Sequence, residues 1–174
     1  MPLPRKYRPH YESITDYESW EEYSGRIGPF ATLAEEYFFK HVLFDHYDDF
    51  AGRFPWFKMK DFTYSFTAFT AEWIKNNVVH EDGEGVDYGF QIDSLPNDAL
   101  VAYMRENHTW PVEPVIFDFR GSIVPKTPNS PTITACHLIE GTRRVSHLKR
   151  LLQNGVIRPD SKHRMLTMKQ TTTD

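Results

Sequence analysis

The segment from His137 to Ile157 joins an apolar strand pattern directly to an amphipathic helix pattern, and this junction constrains the fold most. Val145, Leu148 and Leu152 recur at spacings of three and four, which predicts a helix with one buried face. Gly155, just beyond the last apolar position, is typical of a left-handed helix C-cap. A strand that turns once and continues as such a helix predicts helices packed on a sheet.

The same helix carries Arg143 and Arg144 at its start, where free backbone N–H groups and the positive end of the dipole disfavour cations. The penalty is roughly 0.3–1 kcal/mol for each exposed charge. Gly141 permits a tight turn and Thr142 offers a hydroxyl and a helix cap, so the turn is suited to a phosphate. The competing interpretation is that the arginines only pair with Glu140 and other carboxylates. If internal carboxylates engage both arginines, the phosphate hypothesis fails.

Apolar periodicity elsewhere predicts an α+β fold with a mixed sheet and helices in the C-terminal half. The predicted order after residue 80 is a strand over Val86–Ile92, a helix opened by Ser94 and Pro96, two strands, the arginine-bearing helix and a last strand in "HRMLTMK". The strands on either side of a proline-rich loop lie in "PVIFDF" and "TITACHLI". Residues 1–12 are predicted to be an extended basic arm and 13–80 a mainly helical, aromatic region. Residues 81–174 are the α+β region, and we expect it to form one compact unit with 13–80.

Three expectations concern the first half in more detail. Thr15 and Glu18 have the spacing of a capping box and predict a short helix that includes Trp20. Apolar positions from Phe30 onward predict about four helical turns ending near Asp48. The segment "DFTYSFTAFTAEWIKNNV" alternates as a strand does but also keeps helical spacing, and its unbroken length favours a helix, with a strand as the alternative.

Composition narrows the class of protein. The chain has 174 residues, which suits one domain, and its net charge of −4 excludes a nucleic-acid polycation. The single cysteine, Cys136, excludes an internal disulfide and a thiolate metal cluster, and its apolar neighbours predict a buried, inert thiol. No apolar run approaches the roughly 18 residues of a membrane span, and no signal peptide is predicted. We therefore expect a cytoplasmic protein with no membrane partner.

The stretch "HLIEGTRRVSHLKRLL" resembles the second conserved box of the ParB/sulfiredoxin-like superfamily, which includes ParB-like nuclease domains. In that family a strand ends in an acidic residue and Gly, then a variable residue, then His or Arg, then Arg at a helix start. Upstream, "ALVAYMRENHTWPVEPVIFDF" is similar to the family's first box, and the element order agrees over residues 86–168. The resemblance implies a sulfiredoxin-like fold and a phosphate-binding loop at Gly141–Arg144. Several members use this loop for nucleotides and others use it for the DNA backbone.

The chain departs from the family at positions that matter for activity. Thr142 stands where sulfiredoxins have their catalytic cysteine, so that chemistry is not expected. ParB partition proteins read Gly-Glu-Arg-Arg, an aromatic residue and Arg-Ala, whereas Thr142, Ser146 and His147 differ here. No helix-turn-helix pattern follows the helix, so we do not expect a role in chromosome partition. The resemblance therefore predicts phosphate binding without a secure catalytic activity.

The implied ligand is a nucleotide, with Mg²⁺ as its companion ion, or the phosphate of a nucleic-acid backbone. His147 lies one turn beyond Arg143 and is either a further anion contact or a solvated surface histidine. Only Asp118 and Glu140 are candidates for acid–base or magnesium chemistry. No protein metal site is predicted, because His41 and His46 fall on different faces of one helix. The predicted phosphate-binding residues are Glu140, Gly141, Thr142, Arg143, Arg144 and His147.

The alternative function is that of a non-enzymatic immunity or antitoxin protein that neutralises a basic partner protein. Its acidic residues would be Glu35, Asp45, Asp48 and Asp49, which would steer a basic surface. Nearby aromatic side chains would anchor that partner, or else they simply fill the core. These aromatic residues are Tyr37, Phe38, Phe39, Phe44, Phe50, Phe54, Trp56 and Phe57.

Overall fold

The computed structural model describes residues 3–13, 16–79, 88–121 and 134–171. The first half begins with a 3₁₀ turn at Arg5–Tyr7, followed by a small antiparallel pair of strands and three helices. A long strand and a short helix then complete this half. These elements are β1 (Tyr11–Ser13), β2 (Asp16–Tyr17), α1 (Trp20–Ile27), α2 (Leu33–Phe38), α3 (Asp45–Arg53), β3 (Phe62–Thr70) and α4 (Ala71–Asn77).

The second half supplies the remaining strands of the main sheet and the helix that carries the two arginines. A 3₁₀ turn at Tyr88–Phe90 leads into its first helix. The elements are α5 (Gln91–Ser94), α6 (Ala99–Asn107), β4 (Val115–Asp118), β5 (Cys136–Glu140), α7 (Thr142–Gln153) and β6 (Lys162–Gln170). None of the helices in the described ranges is long and apolar enough to cross a membrane.

The main sheet has four strands in the order β3-β6-β4-β5. β3 and β6 are antiparallel and pair without a break from Phe62 opposite Gln170 to Thr70 opposite Lys162. β4 runs parallel to β6 and antiparallel to β5, so the sheet is mixed. The predicted α+β fold, with a mixed sheet and a mainly helical first half, is confirmed.

Successive residues of a strand point to opposite sides of the sheet. In this sheet the residues on each side pack into a core, so both faces are covered. Phe117 and Leu166 belong to an aromatic-rich core that also contains residues of α2 and α3. Their chain neighbours Ile116 and Met165 belong to a second, mainly aliphatic core with residues of α4, α6 and α7. The central strands therefore contribute to two separate cores, one on each face.

The eight aromatic residues that the immunity interpretation uses as anchors pack in the first of these cores. Five of the eight are buried and three are half-buried, so they do not form the exposed aromatic surface that the interpretation requires. Ring contacts link them to the sheet, for example Phe54 to Phe117 with ring centroids 5.1 Å apart. The interpretation of ordinary core filling is confirmed. The buried five are Phe38, Phe39, Phe50, Phe54 and Phe57.

The helix predicted over residues 61–78 is wrong for its first half. Residues Phe62–Thr70 form β3, and only Ala71–Asn77 are helical. Thr70 separates the two elements, because its hydroxyl accepts a hydrogen bond from the Trp73 backbone N–H and caps α4. The helical spacing of the aromatic residues crosses the strand–helix boundary by coincidence, whereas pairing with β6 decides the strand.

Other predicted boundaries also move. The helix that includes Trp20 begins with a capping box of Ser19 and Glu22, and Thr15 of the predicted box lies outside the described residues. The four-turn helix is interrupted, because Phe39–Phe44 form a π-helical segment between α2 and α3. The predicted strand near residue 90 is wrong where the structure describes it, because residues 88–94 are helical. The proline-rich loop and residue 86 lie outside the described residues.

Candidate anion-binding pocket

A pocket of about 410 Å³ lies at the start of α7, the helix that carries the two arginines. Its walls come from α3, from α6, from the end of β5 and from the first turn of α7. The lining residues that carry polar or charged groups are His46, Asp49, Arg53, Tyr88, Glu140, Thr142, Arg143 and Arg144, and Gly141 also lines the pocket. Five of the six predicted phosphate-binding residues are therefore brought together, and His147 is not among them.

Gly141 allows the chain to turn sharply from β5 into α7. Its φ of +103° lies in the left-handed region that side chains disfavour, and a Cβ there would sit 2.8 Å from the Cβ of Pro114. Gly141 is also the N-cap residue, and no described side chain caps α7. Thr142 is the first helical residue instead, so its predicted capping role is wrong. The first backbone N–H groups of α7 are thus left without a side-chain acceptor at the pocket.

Arg143 is engaged by groups from the neighbouring helices. Its Nη2 donates to Oδ2 of Asp98 at 2.9 Å and its Nε donates to Oε1 of Gln91 at 3.0 Å. Asp98 also caps α6, because its Oδ1 accepts from the N–H groups of Leu100 and Val101. The Arg143 side chain is still 41% exposed. The hydrogen bond from Arg143 holds the pKa of Asp98 below its ordinary value.

Arg144 is more deeply placed. Its side chain is 13% exposed, its Nη2 donates to Glu140, and burial lowers its pKa. Its Nε is buried and has no hydrogen-bond partner among the described residues. Internal carboxylates therefore engage both arginines, as the competing interpretation predicted. The hypothesis that two unpaired arginines wait for a phosphate fails. An anion at this turn would have to displace or share those carboxylates.

His147 faces the protein interior. It is fully buried, and its Nε2 lies 3.1 Å from Oε1 of Gln91. The prediction of a solvated surface histidine is wrong, because the helical face that bears His147 packs under α5 and the preceding 3₁₀ turn. Gln91 thus contacts both Arg143 and His147 and holds the first two turns of α7 against the start of α5.

The sequence interpretation missed the opposite wall of the pocket, which α3 supplies. Arg53 donates to Oδ2 of Asp49 at 3.2 Å, one helical turn away. His46 has non-helical backbone angles of φ −139° and ψ 29°, so α3 is kinked at the pocket. The sequence predicts Asp49 only as part of a surface for a basic partner, and it offers His46 only as a metal ligand that helix geometry excludes. No spacing signal links α3 to a turn so distant in the chain, and only the packed fold brings them together.

Of the two carboxylates predicted for acid–base or magnesium chemistry, Asp118 and Glu140, only Glu140 lies in the pocket. Glu140 lines the pocket, but Asp118 is buried elsewhere in a two-point ion pair with Arg120, at 2.8 and 2.7 Å. Asp118 also lies opposite Cys136 in the sheet, and burial raises the pKa of that thiol. Within the part of the chain that the structure describes, no group of three or more histidine, cysteine or acidic side chains is placed to hold a metal.

Comparisons of the chain with protein-family models, with curated proteins and with solved structures found no match. The ParB/sulfiredoxin-like resemblance therefore stays a prediction from the residues. Any functional assignment has to rest on the geometry of the pocket.

Proposed function

We propose that the protein binds the phosphate of a nucleotide in the pocket at the start of α7. Carboxylates already engage both arginines, so this proposal rests on the helix N-terminus and not on unpaired arginines. The observation that carries this proposal is that the uncapped N-terminus of a twelve-residue helix opens into a pocket of about 410 Å³. Pockets of a few hundred cubic ångströms are the usual size for small-molecule ligands. Free N–H groups and the positive end of the helix dipole favour an anion at this position.

The charges of the pocket walls also favour an anion. Arg53, Arg143 and Arg144 line the pocket, against the carboxylates of Asp49 and Glu140. The lining itself has an excess of one positive charge, which Asp98, the partner of Arg143 outside the lining, balances until Arg143 turns to a ligand. A guanidinium matches a phosphate because two N–H groups donate in parallel.

The two arginines would have different roles. Arg143 is partly exposed, so its guanidinium would leave Asp98 and bind the phosphate. Arg144 would stay buried in its ion pair with Glu140 and would not contact the phosphate directly. The backbone of Gly141 and Thr142 and the Thr142 hydroxyl contribute donors at the turn. Asp49 and Glu140 are the carboxylates of the lining, and each already pairs with an arginine, so a Mg²⁺ ion carried by the nucleotide would have to displace Arg53 or Arg144.

A bounded pocket suits a mononucleotide better than a continuous DNA or RNA backbone. The lining also includes the apolar or aromatic side chains of Phe50, Tyr88 and Leu100, which offer apolar contacts to a base. The pocket has no secure catalytic residue, so the proposed function is binding.

The immunity or antitoxin function has less support. Three of its four acidic residues are exposed and Glu35 is half-buried. Asp48 already pairs with Arg8 and Asp49 with Arg53, and the aromatic anchors are in the core. A basic protein partner therefore remains the second candidate. A cytoplasmic location suits either function.

Titration calorimetry with purine and pyrimidine nucleotides, with and without Mg²⁺, tests the proposal. Arg143→Ala should weaken binding about 10- to 100-fold, the range expected for a lost charged hydrogen bond. Arg150→Ala is the matched control, because Arg150 lies at the other end of α7 in an exposed pair with Asp93. It should bind as the wild type does.

The Asp98→Asn substitution tests the proposal in the opposite direction, because it should increase nucleotide affinity. Asparagine keeps the helix cap of α6 but removes the charge that competes for Arg143, so nucleotide affinity should rise. Absence of nucleotide binding by the wild-type protein, or equal affinity of wild type and Arg143→Ala, would contradict the proposal. Binding only of polynucleotides, with a steep loss on adding salt, would replace the nucleotide by a nucleic-acid backbone.

A further inference from the structure

The two edge strands of the main sheet, β5 and β3, differ in whether their outward backbone groups have hydrogen-bond partners. At the β5 edge, the Val79 N–H donates to the Cys136 carbonyl at 3.1 Å and the Leu138 N–H donates to the Val79 carbonyl at 2.9 Å. These bonds occupy two of the outward backbone groups of β5, namely the Cys136 carbonyl and the Leu138 N–H. At the other edge, β3 pairs with β6 on its inner side only. No backbone group elsewhere in the described ranges bonds to the outer side of β3.

β3 also lacks the features that usually protect an edge strand. Its sequence, FTYSFTAFT, contains no charged residue and no proline. Its nine consecutive pairs with β6 show no bulge that would twist the edge away. Edge strands of monomers are commonly blocked by lysine, proline, bulges or a covering segment. A nine-residue strand without any of these is a template for another strand.

We propose that β3 pairs antiparallel with β3 of a second copy of this chain, to give one continuous eight-stranded sheet. Two identical strands related by a twofold axis present the same edge to each other. With the axis at Phe66, Ser65 of one copy lies opposite Thr67 of the other, and Tyr64 lies opposite Ala68. Threonine, serine and aromatic residues favour such cross-strand pairs.

Charges at the two ends of β3 identify the second copy as the occupant. In that register Lys60, just before β3, approaches Glu72 of the other copy, just after it, and the contact occurs twice. Both side chains are exposed, and neither is in an ion pair within the described part of the chain. Asp61, which directly precedes β3, lies opposite the uncharged Ala71 in this register, so the two Lys60–Glu72 contacts make the strand complementary to itself when it runs antiparallel.

Sedimentation equilibrium across a concentration series tests the proposal on the full chain. The wild-type protein should approach twice the chain mass of 20.5 kDa as the concentration rises. Lys60→Glu alone and Glu72→Lys alone place like charges opposite each other and should each weaken the dimer. The double variant Lys60→Glu with Glu72→Lys restores opposite charges and should recover the wild-type dimer. A wild-type protein that stays monomeric throughout overturns the proposal.

A second variant addresses the strand itself. Ser65→Lys adds a charge on an exposed position of the edge without touching either core, and it should give a monomer with unchanged circular dichroism. Ser65→Thr is the matched control and should still dimerise. Amide hydrogen exchange of residues 62–70 should slow with rising concentration in the wild type and not in Ser65→Lys. A dimer that all these variants leave intact uses another surface, and that result also overturns the proposal. The test does not involve the pocket, so it stands apart from the proposed function.

Discussion

Gly141 combines two constraints at one residue, namely a positive φ and the absence of space for a side chain. An added Cβ would meet the Cβ of Pro114 at 2.8 Å and its Cα at 3.0 Å, and both atoms belong to a rigid ring residue. We expect Gly141→Ala to lower the free energy of unfolding by about 1–3 kcal/mol, the usual cost of a residue held in such a conformation. Urea denaturation followed by circular dichroism measures this.

Gly52→Ala is the matched control for that prediction. Gly52 lies inside α3, and a Cβ there meets nothing within 4 Å. The substitution should raise stability by roughly 0.5–1 kcal/mol, because alanine loses less backbone entropy in a helix. Equal effects of the two substitutions would show that the Pro114 contact and the φ of Gly141 carry no cost.

Cys136 should be inert in the folded protein. Its side chain is 2% exposed, and burial raises the pKa of the thiol, so little thiolate is present near neutral pH. We expect a water-soluble thiol reagent to label the native protein only at the rate of opening or unfolding, and to label it at once in denaturant. Complete labelling within seconds under native conditions would contradict the prediction.

Among the elements, the cap of α6 and the start of α7 are joined by the Asp98–Arg143 pair. Because the folded pKa of Asp98 is lowered, the pair stabilises the fold above the unfolded pKa of about 3.9. That contribution is lost as the pH falls through the folded pKa. Asp98→Asn should therefore be less stable than the wild type near neutral pH, and the difference should disappear in acid.

Thermal unfolding of the two proteins between about pH 2 and pH 7 checks this, since the interval brackets the ordinary carboxyl pKa. Asparagine retains the helix cap, so the comparison isolates the charge. A difference that stays constant across the interval would mean that the charge of Asp98 does not contribute, and no difference at any pH would mean that Asp98 acts only as a cap.

Elements with local signals could be predicted from the sequence, and those decided by distant pairing could not. α7 has its apolar positions, its Gly141 start and its Gly155 end within one short segment, and the structure places it there. β3 has two periodicities in one segment, and β6, far along the chain, selects between them. The same distinction applies to the residues of the pocket. The turn at Gly141 is local, whereas the α3 wall and the burial of His147 depend on packing.

At the scale of the whole molecule, β4 and β6 supply side chains to both cores. Phe54→Ala in the aromatic core and Ile74→Ala in the aliphatic core should therefore each shift one common unfolding transition. Losses of about 3–5 and 2–5 kcal/mol are expected for fully buried side chains of these types. Denaturation followed in parallel by circular dichroism and tryptophan fluorescence should give coincident curves. Separate transitions for the two cores would contradict this.

The bridge made by Val79 limits how far such a protein can polymerise. A sheet with two open edges adds copies without end and grows into a fibril, whereas a sheet with one open edge stops after a single addition. Val79 occupies part of the β5 edge, so a further strand has a longer open edge at β3 than at β5. If two copies associate through β3 as proposed, the bridge at Val79 works against the addition of a third.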